Sequence, residues 1–287
     1  MLTTRAFVLS LFAMLAFAGN SLLCRLALTH TAIDAASFTS IRLISGALVL
    51  WLIVRLRDGS FRFEGSWLSA FALFAYAAGF SFAYVSLPAG TGALLLFVAV
   101  QVTMISYGIY AGDRLQKHQM FGLLLAFTGL VYLLLPGVAT PPIGSALLML
   151  GAGASWGVYS LHGRRAHDAL HTTAGNFIRA VGFSAILSLF TLPRLSVDAS
   201  GLGYALLSGG LASGLGYVVW YKAMRYLKAT SAATVQLSVP VIVAVGGTIL
   251  LNEPATFRLF FASVAILGGI VLVTSSQQSV SVNESDP

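Results

Sequence analysis

The stretch from Leu87 to Leu133, LPAGTGALLLFVAVQVTMISYGIYAGDRLQKHQMFGLLLAFTGLVYL, decides the fold, because the chain carries a second version of it from Leu227 to Val273, LKATSAATVQLSVPVIVAVGGTILLNEPATFRLFFASVAILGGIVLV. A shift of 140 positions lays one on the other without a gap. It matches Leu87 with Leu227, Ala89 with Ala229, Ala93 with Ala233, Ile109 with Ile249, Phe121 with Phe261, Gly129 with Gly269 and Val131 with Val271. Seven identities in 47 positions are few, and the punctuation carries more weight than the count. Each copy is a long apolar run, one acid at the same place (Asp113, Glu253), then a second apolar run with glycine near its end. Upstream, a shift of 137 pairs Arg42 with Arg179, Gly79 with Gly216, Phe80 with Tyr217 and Tyr84 with Tyr221. The chain therefore reads as two similar units, 1–140 and 141–274, meeting near Pro141 and Pro142 and followed by a polar tail, 275–287, expected to be disordered.

Composition sets the solvent. Of 287 residues 57% are hydrophobic and 9% charged, where a soluble globule carries about 25% charged residues. This is the composition of a membrane protein. The single Cys24 lies inside an apolar run, which excludes a disulfide framework and a cysteine-based metal site.

The first apolar run, Ala6 to Cys24, is long enough to cross a hydrocarbon core of about 30 Å at 1.5 Å per residue. It is too long for a signal-peptide core, and no small-residue cleavage site precedes a polar start. A second run, Ala35 to Val54, carries Arg42. From Gly65 to Gly112 there are 48 residues without a charge, enough for two spans, divided by a tight turn over Leu87 to Gly92. A fifth span covers Gln119 to Leu135. The rhythm repeats over Ile143 to His162, Thr172 to Leu192, Gly201 to Tyr221, Ala229 to Leu251 and Ala255 to Thr274. The runs are continuous rather than alternating, so barrel strands are excluded. The fold class expected is an all-α membrane protein, with ten transmembrane helices arranged as two inverted five-helix repeats around a central cavity.

The inversion follows from orientation. With the N-terminus inside, the cytoplasmic side collects Arg5, Arg55, Arg57, Arg62, Arg114, Lys117, Arg164, Arg165, Lys222, Arg225 and Lys228, against Arg194 and Arg258 outside. That bias places both termini in the cytoplasm of an inner (plasma) membrane. The formal net charge of +7 reflects this topology, and nucleic acid is not an expected partner. Five spans per half is odd, so the second half enters the membrane upside down. Two such halves offer two nearly equivalent packings, open to one side or the other around a site at the midplane, which is how a carrier is built. A scaffold or sensor is the bland alternative.

Candidate site residues are the polar and large side chains on otherwise apolar spans. Tyr76, Phe80 and Tyr84 fall at i, i+4 and i+8, one helix face, answered in the eighth span by Ser213, Tyr217 and Tyr221 with Trp220. Aromatic faces stack on rings or enclose aliphatic groups while hydroxyls supply hydrogen bonds. Tyr84 and Tyr221, near span ends, fit an interfacial belt equally well. Asn20 and Ser21, Gln101, Ser155, Trp156 and Tyr159, and Gln236 add polarity at depth, where an unpaired amide is costly; helix-to-helix bonding is the alternative for each. Pro240 lacks the N–H that would bond the Gln236 carbonyl, and so marks a bend. Gly90 and Gly92 in the turn join Pro240 as hinge candidates.

Arg42 and Arg179 each lie about eight residues into a span, from opposite faces. They can attract a substrate carboxylate or cap carbonyls at broken helix ends, and the latter, structural role is favoured because both cannot touch one small ligand. Asp113 and Glu253 read as structural charges at the N-terminus of the following helix. His167 and His171, flanking Asp168, have metal-pair spacing but no convincing third ligand, so no metal and no cofactor is expected. Gly153-Ala154-Ser155 lacks the histidine span an intramembrane protease needs, and Lys222 sits too near a span end to hold retinal; the chain does not read as an enzyme.

In order and spacing, several features resemble the EamA-type members of the drug/metabolite transporter superfamily. They are the early arginine in the second span of each half, Trp156-Gly157 in the sixth span, Pro240 in the ninth, and the acids in Gly112-Asp113 and Asn252-Glu253-Pro254. Departures are Ala18, where many relatives have tryptophan, and Val100, where a proline would mirror Pro240. The run Gly92-Ala-Leu-Leu-Leu-Phe with Gln101-Val-Thr is similar to the aromatic amino-acid exporter branch called YddG. The resemblance implies a carrier of amino acids or similar small amphipathic metabolites, embedded in the lipid bilayer as a monomer or homodimer. Multidrug or organic-cation efflux and metabolite uptake are the alternatives within the class.

Overall fold

The structure is a computed structural model that describes residues 4–60, 62, 64–112, 116–135, 140–163, 166, 168–224, 226, 227 and 235–275. Asp113, His167, Arg164, Arg165 and the tail beyond residue 275 lie outside the described residues. The described chain is all helical, with no strand. The helices are α1 (Thr4–His30), α2 (Ala35–Asp58), α3 (Trp67–Tyr84), α4 (Ala89–Tyr110), α5 (Lys117–Leu134), α6 (Ile143–Gly163), α7 (Ala169–Thr191), α8 (Ala199–Met224), α9 (Ser238–Leu250) and α10 (Phe257–Ser275). Among the described residues seven of them, α1 to α5, α7 with the 3₁₀ turn that follows it, and α8, are long and apolar enough to cross a membrane, while α9 and α10 are shorter apolar helices. This is a multi-pass membrane protein, with leucine, isoleucine and phenylalanine on its outer surface.

Local chemistry places the helix ends. Asp34 caps α2 by accepting from the amides of Ala36 and Ser37, both at 2.9 Å, and the helix stops at Gly59, whose φ of 67° suits glycine. Asp168 caps α7 in the same way, through Leu170 and His171. Ser66 caps α3, accepting from the Ser69 amide at 3.1 Å. The two aspartates nearest in sequence to Arg42 and Arg179 are thus committed to backbone amides. Burial alone would raise the Asp34 carboxyl, but amide and hydroxyl donors at Ser196, Ser37 and Ala36 outweigh it and hold the group below the usual carboxylate range.

The structure places the hinge candidates Gly90, Gly92 and Pro240 in first turns of helices. The α3–α4 connection is shorter than Leu87 to Gly92: α4 begins at Ala89, so Gly90 and Gly92 lie in its first turn. They are places of close approach. A β-carbon on Gly90 would sit 3.0 Å from the Ala244 methyl, and one on Gly92 would strike the Tyr84 ring. Pro240 lies in the first turn of α9, directly after a break at Leu237, where a missing N–H costs little. The interruption at Leu237 falls between Gln236 and Pro240, the pair whose i→i−4 bond a proline cannot make.

The helices pack with small residues at their crossings. α3 lies on α6 and α7, α4 on α6, α8 on α1 and α2, and α9 on α1; α2 pairs with α7, α4 with α9, and α5 with α10. On the α5–α10 seam Gly122 faces the Gly269 backbone, and Gly129 faces Ala262 and Ile266. α2 and α8 approach so closely that any β-carbon on Gly209 would collide with the Arg42 carbonyl and the Ser45 hydroxyl. Gly209→Val should therefore prevent α2 and α8 from docking. Overpacking costs about 1–3 kcal/mol where side chains can yield, and backbone cannot, so we expect little monodisperse protein by size-exclusion chromatography. Wild-type yield would show that the contact is slack.

Candidate functional site

A cluster of aromatic rings occupies the centre of the bundle. Phe17 of α1, Tyr76 and Phe80 of α3, Trp156 of α6 and Tyr217 of α8 are all buried. Trp156 is the hub, with centroids 4.7 Å from Tyr217, 5.0 Å from Tyr76, 5.6 Å from Tyr159 and 5.8 Å from Phe17. Tyr76 and Phe80, four residues apart on one face, are 5.4 Å apart. With Asn20, Ser21, Leu96 and Phe97 these rings close around a void of about 20 Å³, room for roughly one water. The box is shut.

Behind the rings runs a buried polar network. The Ser208 hydroxyl donates to Asn20 Oδ1 at 2.6 Å, and Asn20 Nδ2 donates to the Tyr76 hydroxyl at 3.2 Å. Arg42 donates through Nη2 to the hydroxyls of Tyr76 and Tyr217 at 3.0 and 3.4 Å, and through Nε to Ser213 at 3.2 Å. Its guanidinium stacks 5.0 Å from the centroids of both Tyr76 and Phe80. The two serines reach this network because α8 winds as a π-helix over Leu207–Leu215. Residues five apart on an α-helix point about 140° away from each other; the wider i→i+5 winding turns Ser208 and Ser213 toward one face.

The structure brings Asn20, Tyr76, Phe80, Trp156 and Tyr217 together around the void. Tyr159 and Trp220 stand one layer out, Trp220 against Phe17 at 5.8 Å. Gln101, Ser155 and Gln236 do not line it: Gln101 and Gln236 are buried in α4 and ahead of α9, and Ser155 is half-buried. Tyr84 and Tyr221 are enclosed by protein, which removes the interfacial-belt alternative. The paired arginines part company. Arg179 caps carbonyls, donating to those of Glu64 and Gly175 at 2.6 and 3.0 Å, whereas Arg42 stands behind the wall of the box and holds the hydroxyls of Tyr76 and Tyr217. Sequence reasoning missed Phe17, Leu96 and Phe97, which no pattern separates from lipid-facing neighbours, and Ser208, which only the π-helix turns inward.

Ionic clusters close both ends of the bundle. At one end Arg25 Nε bonds Glu253 Oε1 at 2.8 Å, while Arg25 Nη1 takes the Tyr84 and Val85 carbonyls at 2.8 and 3.1 Å. Glu253 Oε2 accepts from the Ala89 amide at 2.7 Å. Its carboxylate thus sits on the N-terminus of α4 and not on that of the following helix, as the sequence suggested, and it ties α1, α3 and α4 to the segment before α10. At the opposite end Arg57 Nη2 bonds Asp58 and Asp168, both at 2.7 Å, and His171 Nδ1 lies 3.0 Å from Asp168. Burial would push the Asp168 carboxyl up, but Arg57, His171 and two amides hold it well below the usual carboxylate range. Asp58, Asp168 and His171 are near enough to share a metal ion, yet Arg57 already fills the space between the carboxylates with its own charge.

A closed aromatic box with a polar core, set among membrane-spanning helices with an ionic cluster at each end, is the construction of a membrane transporter. The chain belongs to the EamA-like transporter family, whose sequence profile matches residues 143–275. It is 56% identical to an uncharacterized Pseudomonas aeruginosa protein, PA1977, over 94% of each chain. It is 33% identical to the threonine/homoserine exporter RhtA of Salmonella typhimurium over 50% of each chain. It is 23% identical to a probable amino-acid metabolite efflux pump of the same species over 65% of this chain and 67% of that one. None of these three is named for aromatic amino acids. A crystal structure 19% identical to the chain shares its fold, with a TM-score of 0.70 over 94% of this chain and 97% of that one.

Proposed function

We propose that this protein is an inner-membrane carrier that exports small amphipathic metabolites, foremost amino acids and among them aromatic and other neutral ones, by alternating access and without proton coupling. One observation carries the reading: the aromatic box at the centre of the bundle is closed down to about 20 Å³. No metabolite enters such a space unless helices part, and the ionic clusters at the two ends are what must open in turn. The names of the Salmonella relatives support export of amino acids or their metabolites.

The reading includes ten spans in two inverted repeats, and the packing supports it. α3 rests on α6 as α8 rests on α1, α4 on α6 as α9 on α1, and α3 on α7 as α8 on α2. α2 with α7, and α5 with α10, pair with their own counterparts. On the α5–α10 seam, a 140-residue shift exchanges the Gly122–Gly269 contact for that of Ala262 with Gly129, as a two-fold axis in the membrane plane requires. Both termini lie in the cytoplasm, and the Arg25–Glu253 end faces outward. Arg25 adds a third basic residue to that outer side, neutralised by Glu253. The box is complete within one chain, so a monomer suffices.

Proton coupling needs a titratable group that changes sides, and among the described residues no acid or histidine lines the void. Purified protein in liposomes should therefore accelerate counterflow of one or more amino acids with no imposed pH gradient. If no member of a panel of amino acids and organic cations exchanges, or exchange requires an inward proton gradient, the reading fails. On a Cys24→Ala background, an impermeant thiol reagent applied to intact cells should label Pro142→Cys and spare Ala166→Cys; the reverse would invert the topology.

A further inference from the structure

Arg42 is the one Lys, Arg, Asp or Glu that is fully buried among the described residues, at 1% exposure. Its partners are three hydroxyls and two aromatic faces, all neutral, and Nη1 has no hydrogen-bond partner. No carboxylate pairs with it. A buried cation so compensated carries a heavy desolvation cost, and a methionine of similar reach would fill the space without it. Arg179, its counterpart, has no such standing: it is half-buried and spends its donors on carbonyls.

The cation also touches the box through two polar groups of its wall. The hydroxyls of Tyr76 and Tyr217, whose rings line the void, are the groups that Arg42 Nη2 holds, and the Tyr76 hydroxyl accepts from Asn20 as well. Among the described residues none of the side chains lining the void is acidic, so the charge nearest the box is the positive one behind its tyrosines.

We propose that Arg42 is the carboxylate receptor of the box. When the helices part, its guanidinium exchanges the Tyr76 and Tyr217 hydroxyls for the carboxylate of the substrate, which replaces neutral acceptors with one of opposite formal charge and bidentate shape. In the closed state the hydroxyls stand in for that carboxylate. The substrate must then carry a carboxylate, and its ammonium group is dispensable because no anion waits for it. An amine without a carboxylate brings a second positive charge toward Arg42 and is rejected, so organic cations are not substrates. This rests on the carrier reading of the same box and narrows it to a substrate class.

The test uses the full chain in detergent and in liposomes, with neutral amino acids, the corresponding deaminated acids, their amides and their decarboxylated amines as probes. Amino acids and deaminated acids should raise the melting temperature; amides and amines should not. In Arg42→Met, which removes the buried charge and should melt at or above the wild-type temperature, apparent affinity for both acids should fall about a hundredfold; Arg42→Lys should restore part of it. The proposal is overturned if amides or amines stabilise the wild type as acids do, if no acid stabilises it, or if Arg42→Met binds acids within about threefold of wild type. The wild-type probe series decides the matter even if the methionine variant fails to fold. Acids that bind but are not exchanged across the bilayer would sink the carrier reading and leave the receptor standing, while exchange of amides and amines but not acids would do the opposite.

Discussion

Trp156→Ala should abolish counterflow while leaving a folded protein. Its indole meets Phe17, Tyr76 and Tyr217 on three other helices and Tyr159 on its own, so truncation removes the surface that α1, α3 and α8 share in the box. Removing a buried tryptophan costs about 3–5 kcal/mol in a well-packed core. If that loss falls on substrate contacts, exchange drops by about a hundredfold or more. Trp156→Phe keeps a ring at the hub and should retain measurable exchange, which separates loss of the site from loss of the fold. Alanine at a lipid-facing position such as Leu48, 60% exposed, should leave transport unchanged. If Leu48→Ala impairs exchange as much as Trp156→Ala, the box is not the transport site.

The second large effect is expected at the outer closure. Glu253 accepts from Arg25 and from the first amide of α4, with its side chain 15% exposed. Glu253→Gln keeps the shape and one acceptor but removes the charge, leaving Arg25 unpaired at a partly buried site. Discounted for that exposure, the loss is about 1–2 kcal/mol, which shifts the ratio of closed to open forms by about tenfold. Ser21 lines the void, so Ser21→Cys on a Cys24→Ala background reports on access to it. The glutamine variant should speed labelling of that cysteine by an impermeant outside reagent by about tenfold. Unchanged labelling would mean that the ion pair is merely structural and that other contacts hold this end shut.

Periodicity and composition foretold the helices, and the i, i+4 spacing of Tyr76 and Phe80 foretold which face they share. Side-chain chemistry alone also singled out Asn20, Trp156 and Tyr217. Partners were less legible. Gln101 and Gln236 carry the same polar signal as Asn20, yet only Asn20 lies where α1, α3 and α8 converge. Phe17 sends no signal at all, since a phenylalanine in an apolar run reads the same facing a ring or facing lipid. Gly90 and Gly92 look like turn glycines until α4 is seen to begin at Ala89, because Glu253, 164 positions away, supplies the acceptor that starts the helix there.

What the sequence determined by itself is therefore the solvent and the helical class, since each depends on residue type and spacing along one chain. Tertiary structure alone decided how the two arginines diverge. Arg42 and Arg179 sit at matching places in the sequence, but α2 passes close to the π-helical stretch of α8 and there meets hydroxyls and aromatic faces, whereas Arg179 reaches the Glu64 carbonyl ahead of α3 and the Gly175 carbonyl of its own helix. A charge takes its role from the groups that surround it in space, and those come from helices far away in sequence.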